Sequence, residues 1–557
     1  MKKIYLFIFS LLAGLNISAQ FVNDTTSNTR IADWSGSEQA TPLSATTSSG
    51  LTYITWFDNF SSNYELRMQL LDSDGNKLWP DSGLLISNYP QSTALFRYDL
   101  KTDNEDNAIV AFQDIRSGDL RIVAYKLDIA GNFVWSNTGI ELTDSTATGL
   151  SPTIGITASN NVIIAWNANL NTYNWVSFQK ISGTGTVLWS KRIFDQTNNY
   201  NYSRARMVPN GSDDFLMMYV EELGGFPGVT STLFAQHFDV NGDQVWMNAV
   251  QVSTNTIPFF IFPDIISDEH GGFFTAFNSS NPINPGLNDV FAQRVDSAGN
   301  TWSSGGTQVA NSSTEHKSTG GFCYNTSNGG LCITLQVLDG SQGSSGVYIQ
   351  SIDNNGNVLF GSNGIQLKNI DPIYYNPHAI VDAGDGLICI FSYGGFGNQV
   401  LSSIKTDYAG NHSWSYEPMI STYLSNKDDL SAGFFKNSQT IVVWQDDRID
   451  GGVYTQNLRG DGSFGVITGI NQLQSASQLF LYPSPSASAK LIYNSAGNEN
   501  ISLSLINLEG KEVFFEDLDV RKGLNNIVLP NEILKRGIYI INVFTSSGMQ
   551  QIKWVKL

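Results

Sequence analysis

Cysteine is scarce in this chain of 557 residues, and three copies cannot all pair, so no disulfide framework holds it together. Cys323 and Cys332 flank the tight turn "NTSNGG" and are placed to meet across a hairpin, bonded or free, whereas Cys389 reads as a small buried hydrophobe. The five histidines are dispersed, with no His-x-His or His-Glu-x-x-His spacing, so no metal site is expected. Positive charge is in deficit, 31 Lys and Arg against 50 Asp and Glu for a net charge of −19, which argues against a nucleic-acid or anionic-membrane partner. A Gly-x-Ser-x-Gly elbow, a P-loop and a dinucleotide fingerprint are all missing, and no cofactor is expected. No window sustains a 3.6-residue apolar period, so helices are not the building material. Long apolar runs are missing too: the one from Ile4 to Leu15 is too short to stay in a bilayer, and no transmembrane segment is expected.

That short run follows Lys2 and Lys3 and ends in small residues at Ser18 and Ala19, the pattern of a signal peptide over residues 1–20. No cysteine follows it, so a lipid anchor is not expected.

What the chain has in abundance is one recurring turn. "LDSDGNKLW" at Leu71 to Trp79 returns as "LDIAGNFVW" at Gly131, "ISGTGTVLW" at Gly185, "FDVNGDQVW" at Gly242, "VDSAGNTW" at Gly299, "IDNNGNVLF" at Gly356, "TDYAGNHSW" at Gly410 and a decayed "LRGDGSFG" at Gly462. The copies fall roughly every 55 residues, a period that belongs to propeller blades or solenoid coils. Between turns run short Val-, Ile-, Tyr- and Phe-rich stretches bounded by Gly, Asn and Asp. In the second unit these are "TALFRYDLKT", "AIVAFQD", "LRIVAYKLD" and "FVWSNTGIELT", four strands of one antiparallel meander. Four-stranded sheets repeated radially make a β-propeller, expected over residues 21–465. The glycine supplies a positive φ to the turn before the outer strand, and the aromatic beyond it fills the wedge between neighbouring blades. The aspartates of "DSDGN" and "DNNGN" lack the distal Glu of a calcium loop and read as turn residues. Because the Gly462 unit has no clear outer strand, part of residues 21 to 34 is expected to complete it, and seven or eight blades remain open.

The spacing Asp-x-x-Gly-x-x-x-Trp is similar to the tryptophan docking motif of eight-bladed quinoprotein-type propellers. The resemblance implies the blade arrangement only; nothing here matches the residues that hold their quinone.

After a polar linker at 466–478 the pattern changes to six or seven short strands in residues 479–557, a small Ig-like β-sandwich. Four motifs stand there in order: "YPSP" with Tyr482, Pro483 and Pro485; "NLEGKEV" with Gly510 and Lys511; "RGIYIINV" with Gly537 and Tyr539; and the basic "KWVKL" with Lys553 and Lys556. They resemble the type A C-terminal sorting domain of the type IX secretion system of Bacteroidota, in which Pro-Asn-Pro is usual where Ser484 stands here. The resemblance implies that residues 479–557 engage the type IX machinery, and that the protein is secreted or held at the cell surface.

In a propeller of this connectivity the loops between second and third strands share one face with the blade-to-blade connections, and that face is where ligands usually bind. Those loops follow aromatics at matching positions, Trp56, Phe112, Trp166, Tyr219, Phe277 and Trp444, themselves expected in the blade core. They bring together Asp58, Asp114, Arg116, Glu221, Glu222, Asp446, Asp447 and Arg448 as candidate ligand contacts. A carboxylate pair across such a ring suits acid and base roles on a glycosidic bond. Asp-x-Arg pairs equally suit ties between loops. The leading expectation is a binding or adhesion module for glycan or protein. An extracellular polysaccharide hydrolase and a structural surface component are the alternatives.

Overall fold

The computed structural model describes residues 20–557 apart from 35, 61–62, 92–96, 143–145, 226–227, 260, 467–477, 483–487, 496, 531, 546–547 and 557. The signal peptide, most of the linker and Pro483 and Pro485 therefore lie outside the described residues. The chain separates into two units, Met1–Val466 and Ile467–Leu557. Among the described residues every element in both is a β-strand.

The first unit contains eight four-stranded antiparallel sheets among the described residues. Its opening sheet runs Gln39–Thr46, Thr52–Phe60, Asn63–Leu71, Leu84–Ser87, with each strand beside its sequence neighbour. Six more sheets follow the same order. The eighth pairs Lys427–Ala432, Gln439–Asp446 and Gly452–Arg459, then takes its outer strand from the other end of the chain: Thr29–Ala32, inside the segment expected to do this.

The first strands of the eight sheets are Gln39–Thr46, Asp99–Thr102, Thr148–Ile156, Tyr200–Pro209, Asp264–Ser267, His316–Asn325, Tyr375–Asp382 and Lys427–Ala432. Each touches the next, and the last touches the first, so they close a ring. Several carry a bulge in which Thr41, Ser151, Arg204 and Asp429 take positive φ of 49°, 51°, 56° and 46°. A bulge frees one amide from the ladder, and the preceding sheet captures it. Gln445 Oε1 accepts from Thr41 N at 3.0 Å, and Asn167 Oδ1 from Arg204 N at 2.7 Å.

The recurring turn is built as its residues dictate. In the first copy Gly75 N donates to Asp72 O at 3.0 Å, while Asp72 Oδ1 accepts the amides of Asp74 and Asn76 at 2.9 and 2.8 Å. Those carboxylate oxygens are consumed by the turn itself. The tryptophan beyond it docks on the next copy: Trp79 Nε1 donates to Ile129 O, Trp135 to Gly183 O, Trp189 to Val240 O, Trp302 to Asn354 O and Trp414 to Gly460 O, all between 2.9 and 3.2 Å. The ring lies against the glycine of that turn, where a Cβ on Gly185 would stand 2.9 Å from Trp135 Cδ1. At the closure Phe21 takes this place over Gly75. The expected continuous outer strand is shorter than the sequence suggests, only Ile140–Leu142 in the second sheet, because Trp135 and its neighbours leave the ladder to dock.

A glutamine in the third strand holds several of these docking segments, a feature the hydrophobic pattern does not show. Gln350 Oε1 accepts from Phe360 N at 3.0 Å while its Nε2 donates to Val309 O at 3.0 Å and Gly361 O at 2.9 Å. Gln69 and Gln293 bond the backbone of Trp79 and Trp302 in the same way. Gln350→Leu keeps a similar volume and removes this partner from four backbone groups, Val309 O, Gly361 O, Phe360 N and Ser351 N, so a loss of about 3 kcal/mol is expected in the urea-unfolding free energy. An unchanged value would mean that water replaces all of these bonds.

In the second unit a three-stranded and a four-stranded sheet share a core of Leu491, Leu503, Leu505, Ile541, Val543 and Trp554. The motif glycine Gly510 has φ 76° and closes a turn on Asn507 O at 3.0 Å, with Lys511 N donating to Asn507 Oδ1. Tyr539 packs on Trp554 and donates to Lys535 O at 2.8 Å. Gly537 opens the strand Gly537–Thr545, while Lys553 and Lys556 lie in Gly548–Lys556 beside it. Cys323 and Cys332 face each other across neighbouring strands as free thiols, and burial pushes the Cys389 thiol up to about 12.

Candidate functional site

Second-to-third-strand loops and sheet-to-sheet connections fall at the same end of the ring, as the meander requires. The periodic aromatics Trp56, Phe112, Trp166, Tyr219, Phe277 and Trp444 are all buried between sheets. The residue two positions on is carboxylic in four units, and in three of them, Asp58, Asp114 and Asp446, the side chain is buried rather than open to solvent.

Asp58 is fully buried and accepts Trp34 Nε1 at 3.0 Å and Gln39 Nε2 at 3.2 Å. Asp114, also fully buried, is held by Arg116, whose Nε lies 3.0 Å from each carboxylate oxygen and whose Nη2 lies 2.6 Å from Oδ2. Asp446 has the densest set of donors: Lys427 Nζ at 2.9 Å, Arg448 Nη2 at 2.7 Å, Ser425 Oγ at 2.6 Å and Trp444 Nε1 at 2.8 Å. Burial alone raises the Asp446 carboxyl, but the Arg448 hydrogen bond and the Lys427 and Arg448 charges hold it down to about 2. Glu222 is paired with the bulged Arg204, while burial raises the partly exposed Glu221 beside Tyr202. Asp447 accepts Asn426 Nδ2 at 3.1 Å. The eight candidates are thus dispersed around the ring in separate local groups, with Glu221 partly exposed and Arg448 Nε left without a partner.

The two Asp-x-Arg pairs share a consequence that residue types alone do not reveal. With its carboxylate below, Arg116 lies flat with its guanidinium carbon 4.1 Å from the centre of the Tyr89 ring. Arg448 lies 3.8 Å from Tyr454 and 4.6 Å from Tyr423, and its Nη1 donates to Thr26 O and Ser27 O near the closing strand. Tyr89 and Tyr423 are exposed, so each presents a ring braced from behind by a fixed cation. Tyr374 and Phe396, 50% and 91% exposed, stand on the seventh sheet's connection and loop at the same end. Tyr89 and Tyr374 lie in sheet-to-sheet connections, Phe396 in a second-to-third-strand loop and Tyr423 near the end of the outer strand Met419–Ser425, all out of phase with the periodic core aromatics.

An all-β ring of sheets followed in the chain by a separate β-unit defines a propeller-like protein, and its second unit says where that protein goes. Residues 480–556 match the secretion system C-terminal sorting domain. The chain therefore carries a type IX sorting domain and is a secreted or cell-surface protein; among the described residues no helix is long and apolar enough to cross a membrane. No curated protein matches the chain. Among solved structures, a family PL25 polysaccharide lyase described as an ulvan lyase is 9% identical, covering 79% of this chain and 97% of its own with a TM-score of 0.40. An α-L-arabinanase of Penicillium chrysogenum complexed with arabinobiose is 12% identical over 58% and 97%, with a TM-score of 0.33. The α-L-arabinofuranosidase of Fusarium graminearum is 12% identical over 79% and 97%, also at 0.33.

Proposed function

We propose that the eight sheets are the blades of one eight-bladed propeller, exported by a member of the Bacteroidota with an Ig-like sorting sandwich. In this reading the loop face is a binding module for an extracellular glycan. The observation that carries it is the set of exposed aromatic rings at one end of the ring: Tyr89 and Tyr423 backed by Arg116 and Arg448, with Tyr374 and Phe396 beside the seventh sheet. A rigid exposed ring offers a sugar an apolar face at small entropic cost. Binding is favoured over hydrolysis because Asp58, Asp114 and Asp446 are sealed and saturated, whereas an acid and base pair must reach the scissile bond. A protein ligand is the second reading, since the same rings suit an interface hot spot.

The test is affinity electrophoresis of the full chain through gels carrying neutral and charged polysaccharides. The partner run uses a variant with Tyr89→Ala, Tyr374→Ala, Phe396→Ala and Tyr423→Ala. Retardation on at least one polysaccharide, weakened about tenfold or more in the variant, is expected. Equal retardation of both proteins would remove the aromatic face from the account, and no retardation on any gel would move the search to protein ligands.

A further inference from the structure

The inner ring of first strands carries, at this same end, charges that the aromatic face does not employ. Arg97, entering the second sheet, reaches across the ring to the fifth. Its Nη2 donates to Asp264 Oδ2 and its Nη1 to Phe262 O, both at 3.5 Å, the outer limit of a hydrogen bond. Its guanidinium carbon lies 5.1 Å from the centre of the Phe262 ring. Arg206, on the first strand of the fourth sheet, donates to the other oxygen of the same carboxylate. Lys101, one turn of the pleat further down the second sheet, adds its charge to the field on Asp264, with Nζ 3.9 Å from Asp99 Oδ1.

Three cations thus meet two carboxylates, and one of those is already committed: Asp99 accepts the amides of Ile154 at 2.8 Å and Leu100 at 2.9 Å. Asp264 alone is left between two guanidinium groups that repel each other. The Arg97 and Lys101 side chains are 44% and 54% exposed. A guanidinium offers a planar fork of donors that fits a carboxylate or sulfate better than a sugar hydroxyl.

We propose that Arg97, Lys101 and Arg206 form a subsite for the anionic group of an acidic polysaccharide, a carboxylate or a sulfate, at the inner ring of first strands. The inference rests on the loop face being a glycan-binding face and adds the class of glycan it takes. The net charge of −19 opposes such a ligand at long range, but at physiological salt the field decays over about 8 Å, so the local cluster decides.

The experiment compares polysaccharides of matched backbone and different charge on the full chain: polygalacturonate with highly methyl-esterified homogalacturonan, and κ-carrageenan with agarose. The charged member of one pair is expected to bind about tenfold or more tightly than its neutral partner, the first pair assigning a carboxylate and the second a sulfate. Arg97→Ala with Lys101→Ala is expected to remove that preference and leave neutral binding in place. Asp264→Asn frees both guanidinium groups and is expected to strengthen charged binding. Equal binding within both pairs, binding to none, or a preference that survives the Arg97 and Lys101 changes overturns the proposal. The aromatic variant scores the face separately, because it loses charged and neutral members together.

Discussion

Asp446→Ala is expected to destabilise the first unit by about 3 to 5 kcal/mol, the usual consequence of stranding a buried charge. Two cations are left behind: Lys427, fully buried, and Arg448, nearly so. Among the described residues neither has another carboxylate within ion-pair distance. Their surroundings amplify the effect, because Arg448 depends on Asp446 for its orientation and in turn holds the carbonyls of Thr26 and Ser27 next to the closing strand Thr29–Ala32. The place where the two ends of the ring meet should therefore loosen first. Urea unfolding followed by tryptophan fluorescence gives the magnitude, and limited proteolysis of the folded variant should cut near residues 21–34 before any other site. Asp446→Leu with Lys427→Met is expected to recover part of the loss, since an apolar pair of similar volume removes one stranded charge. Acid should act on the same carboxylate. Its folded pKa of about 2 lies below the usual value near 3.8, so its contribution is fully present above that value and is lost as pH falls toward 2. That contribution is roughly 2 kcal/mol, and the Asp446→Asn variant should lack this part of the acid transition. A midpoint indistinguishable from that of the parent in Asp446→Ala would show that the closure is held by strand pairing alone.

The architecture was legible because its signals are local and repeated. One Gly per unit needs positive φ, one aromatic follows it, and the alternating apolar runs between fix strand number. The closing strand was legible by subtraction, since the Gly462 unit lacks an outer strand and the N-terminal segment is unassigned. The site was less legible because side-chain direction is not a property of residue type. Asp58, Asp114 and Asp446 look like open loop carboxylates in sequence, yet the last residues of a second strand still point into the seam between sheets and must be neutralised there. Gln350 escaped notice because a single polar residue in an apolar strand has no periodicity. The Arg97 to Asp264 contact joins residues of nonadjacent sheets, which only ring closure brings together.

The docking of each aromatic on the following turn makes a second large effect expected at Trp135. Its indole is buried, donates to Gly183 O at 3.1 Å and covers Gly185, whose φ of 94° already excludes most side chains. Trp135→Ala empties the seam between the second and third sheets and is expected to cost about 3 to 5 kcal/mol. Trp135→Phe should cost much less, about 1 kcal/mol, because the Gly183 carbonyl also receives Lys126 Nζ at 3.3 Å and the protein itself uses Phe360 in this role. Gly185→Ala meets the ring from the other side: a Cβ would lie 2.9 Å from Cδ1 and 3.2 Å from Cγ of Trp135, on top of a backbone strain of about 1 to 3 kcal/mol. If ring and glycine act as one fitted contact, the double variant must cost less than the two single changes together, since the new methyl then enters the space the indole has left. Strict additivity in urea unfolding would mean that the glycine serves only its own turn, and that the recurrence of Gly with its aromatic reflects two independent requirements instead of one interlocking seam.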